Sequence, residues 1–227
     1  MCMSFSRSRN PLLLSDLVGE LDDALESESL ATTDSRDILV SCEALSGHCP
    51  GWPGVDTYAT APYTVSVVAG YFAERFPDAE VMVVFTTRNA EAWLSSAWRH
   101  HLVGQKLTED FPAWSSRLRP ASDLMATVVE AADALAPVQA FSLPLEDAAR
   151  HPLGPGGSLI ELLQIPEEVR GALEPIPQAN TGPTEELVDE LLRLNRSRLP
   201  KDGLQRRKKA LLKEAGVGGW AERPNPA

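Results

Sequence analysis

Residues 80–103, EVMVVFTTRNAEAWLSSAWRHHLV, place a β-branched apolar run, a polar turn and a helical pattern in immediate succession. Val81 to Phe85 is unbroken apolar sequence, too short for a helix and without the alternation of a half-exposed strand. It predicts a central parallel strand covered on both faces. Thr86 to Asn89 end that strand. From Ala90 onward, Trp93, Leu94, Ala97, Trp98 and Leu102 recur at helical spacing and predict one buried helix face, with Asn89 as the N-cap.

Arg88 stands at the carboxyl end of that strand, where helix N-termini in open α/β sheets present free N–H groups and a partial positive charge. Its guanidinium is a fork of donors matched to phosphate oxygens. Ser96, two helical turns on, could add a hydroxyl to the same group. A surface ion pair for Arg88 and a solvated helix position for Ser96 are the competing readings.

Working outward, residues 1–9 are polar and predict a disordered N-terminus. Asn10-Pro11 open a helix to about Glu26. Asp37 to Cys42 holds Ile38, Leu39 and Val40, a second short buried strand with Glu43 at its carboxyl edge. The Gly- and Pro-dense loop ALSGHCPGWPGVD follows, carrying His48 and Trp52. A helix from about Tyr58 to Phe76 then returns to the strand at Val81, which makes a right-handed βαβ unit. Beyond the central segment, Phe111 and Trp114 read as packing anchors over a substrate cleft, followed by a helix from Ala121 to about Leu135 and a third strand from Val138 to Leu143. Short helices are expected at Leu145–Arg150 and Ser158–Leu163, and an acidic helix from Thr184 to Leu194. Gln205 to Lys213, QRRKKALLK, is either a solvated helix face paired with acidic neighbours or a phosphate-facing patch.

At 227 residues the chain suits one α/β domain, taken as residues 10–215, with 216–227 as a flexible tail. A formal net charge of −11 argues against a general nucleic-acid or anionic-membrane binder. The three cysteines, Cys2, Cys42 and Cys49, do not make a disulfide framework and point to a reducing compartment, the cytoplasm. No apolar run approaches the ~20 residues that span a bilayer, and the N-terminus lacks an export pattern. Cys42, His48 and Cys49 have no companions at zinc-site spacing, so no metal is expected.

The order apolar strand, Arg-Asn, then Ser eight residues after the Arg resembles the 3′-phosphate-binding segment of sulfotransferases that use 3′-phosphoadenosine 5′-phosphosulfate (PAPS). The wider run from Ile38 to about Leu212 is similar to bacterial members of that family, including SCEALSG, LLQIP and LNRSRLP. The resemblance implies a P-loop NTPase-like, three-layer α/β/α fold with a short, mostly parallel sheet. It also implies PAPS as co-substrate, with Arg88 and Ser96 on its 3′-phosphate. Where the family has Pro after Arg-Asn, this chain has Ala90. The segment KEAGVGGW, residues 213–220, is weakly similar to the family's RKGxxGDW segment that closes over the nucleotide. It puts Lys213, Gly218 and Trp220 in register, with Glu214 and Ala215 departing from the pattern.

Sulfuryl transfer also needs a general base for the acceptor hydroxyl or amine. Related sulfotransferases use His or Glu. Glu43 is the first candidate and His48 the second, against readings as an N-cap or ion-pair partner and as an ordinary loop residue. The acceptor is a small molecule or carbohydrate whose identity the loops around Trp52, Phe111 and Trp114 do not disclose. The family's first strand and its KTGTT or KSGTT loop, which cradle the 5′-phosphosulfate, have no counterpart here. Three or four charge-assisted hydrogen bonds lost with that loop amount to about 5–12 kcal/mol. Two expectations follow: a shortened sulfotransferase, or a non-catalytic relative that acts by binding a nucleotide or a protein. A sheet missing an inner strand also leaves homo-oligomerisation open. A P-loop kinase is the weakest alternative, since no Walker Lys or magnesium-binding Ser/Thr is present.

Overall fold

A computed structural model describes residues 1–33, 36–175 and 182–217. In chain order its elements begin with α1 (Cys2–Ser8), α2 (Leu12–Ser27), a 3₁₀ turn at Glu43–Ser46, α3 (Ala61–Arg75) and β1 (Met82–Thr87). Next come α4 (Ala90–Gly104), α5 (Phe111–Leu118), a 3₁₀ turn at Arg119–Ser122, α6 (Leu124–Leu135) and β2 (Gln139–Pro144). The last are α7 (Leu145–Ala148), α8 (Gly157–Leu162), α9 (Glu167–Arg170), α10 (Glu185–Arg196) and α11 (Lys201–Glu214). The class is α/β, with β1 and β2 paired in parallel as a small two-stranded sheet. Contacts group the residues into two compact units, Met1–Thr87 with Asp123–Leu143, and Arg88–Ser122 with the described residues from Pro144 onward.

In the first unit, Val81, Val83 and Phe85 alternate along the chain and so share one face of the sheet. That face, with Val138 and Ala140, packs on Val65 and Ala69 of α3 and on Ala131 and Leu135 of α6. A second cluster joins Cys2 of α1, Leu17 of α2 and Val68 of α3, with Leu21, Leu45, Val67 and Phe72 around it. The expected disorder of residues 1–9 is therefore corrected. Cys2, Phe5 and Ser6 fall at i, i+3 and i+4, and a helix puts all three on one buried stripe. Polar composition hid that spacing.

The strand expected at Asp37–Cys42 is also corrected. Residues 37–42 are outside any strand, and Leu39 and Val40 are 57% and 43% exposed. Three apolar residues specify a strand only where a neighbouring edge receives them, because strand preference is a matter of packing and pairing. With it goes the βαβ unit drawn through Tyr58–Phe76, although the helix itself forms as α3. β1 is likewise half-buried from Met82 to Phe85 rather than enclosed on both faces.

The second unit is built on α4. Trp93, Leu94, Ala97, Trp98, His101, Leu102 and Val103 are buried along it. α5, the Arg119–Ser122 turn and α10 pack against α4, and α11 packs against α10. The Trp98 ring packs tilted against Phe111 at 5.6 Å and donates its indole N–H to the Glu109 carbonyl at 3.2 Å. Trp114 is completely buried, 5.7 Å from the His101 ring. An aromatic so enclosed is a core residue, which corrects the expectation that Trp114 lies over a substrate cleft. α10 buries Leu187, Val188, Leu191 and Asn195, and Thr184 caps it by accepting the Leu187 N–H at 3.4 Å.

The basic run at Gln205–Lys213 resolves into two different environments on α11. Arg206, Arg207 and Lys209 are exposed, whereas Leu204, Lys208 and Leu212 are buried. Spacing of four residues places those three on one stripe. The Lys208 ammonium donates to the carbonyls of Leu102 at 2.6 Å, Val103 at 3.2 Å and Gln105 at 2.5 Å. These are carbonyls at the C-terminal end of α4, where the helix ladder leaves acceptors without partners and the dipole favours a cation. Asn195 adds its side-chain N–H to the Leu102 carbonyl at 3.1 Å. Lys208 is thus neither solvated nor phosphate-facing: it ties α11 to the end of α4.

Candidate functional site

The carboxyl ends of the two strands are joined by Thr87 and Ser142, whose hydroxyls lie 2.8 Å apart. Immediately after Thr87 the chain turns through Arg88 and Asn89 into α4. Asn89 has extended backbone and caps the helix as expected, its Oδ1 accepting the Ala92 N–H at 2.9 Å. Immediately after β2 the chain enters α7, whose second residue is Glu146.

Glu146 is the organising group at the entrance to α4. Its Oε1 accepts the Asn89 backbone N–H at 3.0 Å and the Asn89 side-chain N–H at 2.6 Å, and lies 4.0 Å from Arg88 Nε. The Asn89 backbone N–H is the main reason the Glu146 carboxyl titrates below the usual carboxylate range. Hydrogen bonds from its own backbone N–H and the Asn89 side chain, and the Arg88 charge, act in the same direction. Both side chains are part-exposed, Arg88 at 38% and Glu146 at 32%. Chemically this is a cluster of N–H donors and one guanidinium gathered on a single anionic oxygen.

Arg88 is therefore where the sequence places it, at a strand end and a helix entrance, and it faces a carboxylate. Ser96 stands exposed on α4, seven residues beyond Asn89 and so about 10 Å along the helix axis. Lys213 is exposed in the last turn of α11. Gly218 and Trp220 lie outside the described residues.

The two candidate bases belong to the first unit. Glu43 is exposed and opens the 3₁₀ turn at Glu43–Ser46, so it does not stand at a strand end as expected, because residues 37–42 form no strand. His48 is half-buried. Its backbone N–H donates to Ser6 Oγ at 3.0 Å and its ring lies 5.1 Å from Trp52. Burial, aided by the Arg7 charge, lowers its pKa below the usual 6.5, which keeps the imidazole neutral at pH 7 and able to accept a proton. Gly47, just before it, has φ +81° and ψ −160°, and a Cβ there would meet the Ser6 Cβ at 2.7 Å. Only glycine fits this conformation and this approach to α1. Nearby, Ser4, Arg7, Ser8 and Pro53 line an open depression of about 410 Å³.

Among the described residues no group of three or more His, Cys, Asp or Glu side chains could hold a metal ion, and no helix is long and apolar enough to cross a membrane. No protein-family model, curated protein or solved structure matches the chain.

The roles of two residues of consequence escaped the reading of the sequence. Glu146 had a signal, since it is an acidic residue just past the end of an expected strand, the edge at which ligands gather in α/β sheets. Lys208 had one too, because Leu204 and Leu212 flank it at four-residue spacing.

Proposed function

We propose that this chain is a sulfotransferase-like α/β protein that receives the 3′-phosphate of PAPS, or of its product 3′-phosphoadenosine 5′-phosphate (PAP), at the entrance to α4. The observation that carries the reading is the arrangement of Arg88 and Asn89, which already gather an anionic oxygen at the N-terminus of a helix that follows a strand. Guanidinium, backbone N–H and helix dipole together suit a phosphate oxygen at least as well as a carboxylate. Ser96, and Lys213 and Trp220 near the C-terminus, complete the nucleotide contacts that the resemblance implies. The three-layer, P-loop NTPase-like sheet belongs to the same reading.

Sulfuryl transfer to a hydroxyl or amine of a small-molecule or carbohydrate acceptor is the activity such binding serves. The S–O bond to the nucleotide phosphate breaks, a bond from sulfur to the acceptor forms, and a base takes the acceptor proton. Glu43 and His48 are the candidates for that base, and of the two His48 is half-buried with an imidazole that is neutral at pH 7 and able to accept a proton, whereas Glu43 is exposed. The second reading is a nucleotide-binding domain without transfer, in which Arg88, already facing the Glu146 carboxylate, holds the nucleotide weakly.

Calorimetric titration with PAP tests the proposal. Binding at micromolar concentration, abolished in Arg88→Ala, is the expected result. A folded chain that binds no PAP, with Glu146 intact or neutralised, refutes it. Once binding is established, sulfate release or transfer that disappears in His48→Gln or Glu43→Gln separates the enzyme from the binding domain.

A further inference from the structure

We propose that Glu146 is an intramolecular plug: its carboxylate occupies the anion position at the entrance to α4 and must leave before a nucleotide 3′-phosphate can enter. The inference rests on the nucleotide reading above and adds a control to that site. One oxygen of Glu146 accepts both N–H groups of Asn89, and the same oxygen is the atom nearest Arg88. A phosphate oxygen seeking those donors competes for the same point in space. With Glu146 still in place, the incoming phosphate also meets a like charge.

The plug is built to move. Glu146 sits on α7, a single turn of helix, and its side chain is part-exposed, so rotation about its own side-chain bonds carries the carboxylate into water. Its neighbour Asp147 is separately paired with Arg150 at 3.0 Å and does not hold it. No buried apolar contact has to break. The Asn89 cap on Ala92 uses the side-chain oxygen rather than the nitrogen that reaches Glu146, so α4 keeps its N-cap when the plug leaves. The lowered titration of Glu146 agrees with an anion held by these donors. The apparent nucleotide affinity is then the intrinsic affinity reduced by the fraction of molecules with the plug withdrawn.

The test compares the intact chain with Glu146→Gln and Glu146→Ala, each first shown to be folded by thermal unfolding. Each protein is titrated calorimetrically with PAP and with AMP, which lacks the 3′-phosphate, and the Asn89 amide is followed by ¹⁵N NMR. The expected result is PAP binding tightened about fivefold or more in Glu146→Ala and by a smaller factor in Glu146→Gln. AMP binding stays unchanged, and the Asn89 amide resonance of Glu146→Ala moves upfield as its acceptor is lost. An Asn89 amide that does not move overturns the contact itself. A shifted amide with PAP affinity unchanged or weakened overturns the plug and leaves nucleotide binding standing. Absence of PAP binding in all three folded proteins overturns both.

Discussion

Replacing Lys208 with methionine keeps the length of the buried stem and removes the charge. In the native chain the ammonium, 1% exposed, supplies donors to the carbonyls of Leu102, Val103 and Gln105. After Lys208→Met, Leu102 keeps the Asn195 amide at 3.1 Å, so the Val103 and Gln105 carbonyls bear the loss. Each acceptor that loses this donor costs about 1–3 kcal/mol, and the relief of no longer burying an ammonium offsets part of the cost of the two, leaving a net destabilisation of about 2–4 kcal/mol. For a chain of this size that lowers Tm by about 5–15 °C. Urea unfolding followed by tryptophan fluorescence measures it directly, since Trp93, Trp98 and Trp114 lie in the same unit. The pH dependence is a second readout. Burial pushes the Lys208 pKa down from 10.5 to about 8, so between those values the unfolded chain binds more protons than the folded one. The native protein therefore gains stability as pH rises through that window and loses it as pH falls back toward 8, whereas Lys208→Met lacks this contribution. The gap between the two widens toward pH 10.5. A loss below 1 kcal/mol at neutral pH would refute the docking of α11 on the end of α4.

Three further outcomes are expected. Asn89→Ala removes the cap on Ala92 and should cost about 1 kcal/mol in denaturant unfolding, while Asn89→Ser keeps an uncharged capping oxygen and should cost less. Gly47→Ala forces a Cβ onto Ser6 in a backbone conformation essentially reserved for glycine; it should cost about 1–3 kcal/mol and raise hydrogen exchange in α1, which alanine at an exposed position of α2 such as Glu20 should not. His48, whose folded pKa lies below 6.5, contributes stability that is present above 6.5 and lost as pH falls through its folded value. His48→Gln should therefore flatten the acid limb of the stability profile, and an unchanged limb would show that His48 is solvated.

Local features were legible where the sequence determines them by itself. The β-branched run at 81–85, the Asn89 cap and the apolar stripe of α4 are each set by propensity and short-range hydrogen bonding, and they form within a residue or two of the expected positions. The second strand of the sheet, expected at Val138–Leu143, appears at Gln139–Pro144 for the same reason. Ile38–Val40 has a similar apolar signal and forms no strand, because strand formation needs a partner edge that the short run cannot specify. The N-terminal helix needed the opposite correction: Met1, Cys2, Met3 and Phe5 stand among serines and arginines, and the burial of Cys2 depends on Leu17 and Val68 being there to receive it.

The candidate site divides along the same line. That Arg88 stands between a strand and a helix N-terminus follows from the sequence alone, since a strand end, a polar turn and a cap are contiguous in the chain. What faces Arg88 was decided by tertiary structure, because Glu146 reaches it only when β2 pairs beside β1 and delivers α7 to the same end. The charge run of α11 was legible as charge, but which of the four cations at 206–209 is buried depended on where the carbonyls at the end of α4 came to rest. Contiguous residues carry their own geometry in covalent connectivity; partners 58 or 106 positions apart, such as Arg88 with Glu146 and Leu102 with Lys208, meet only through packing.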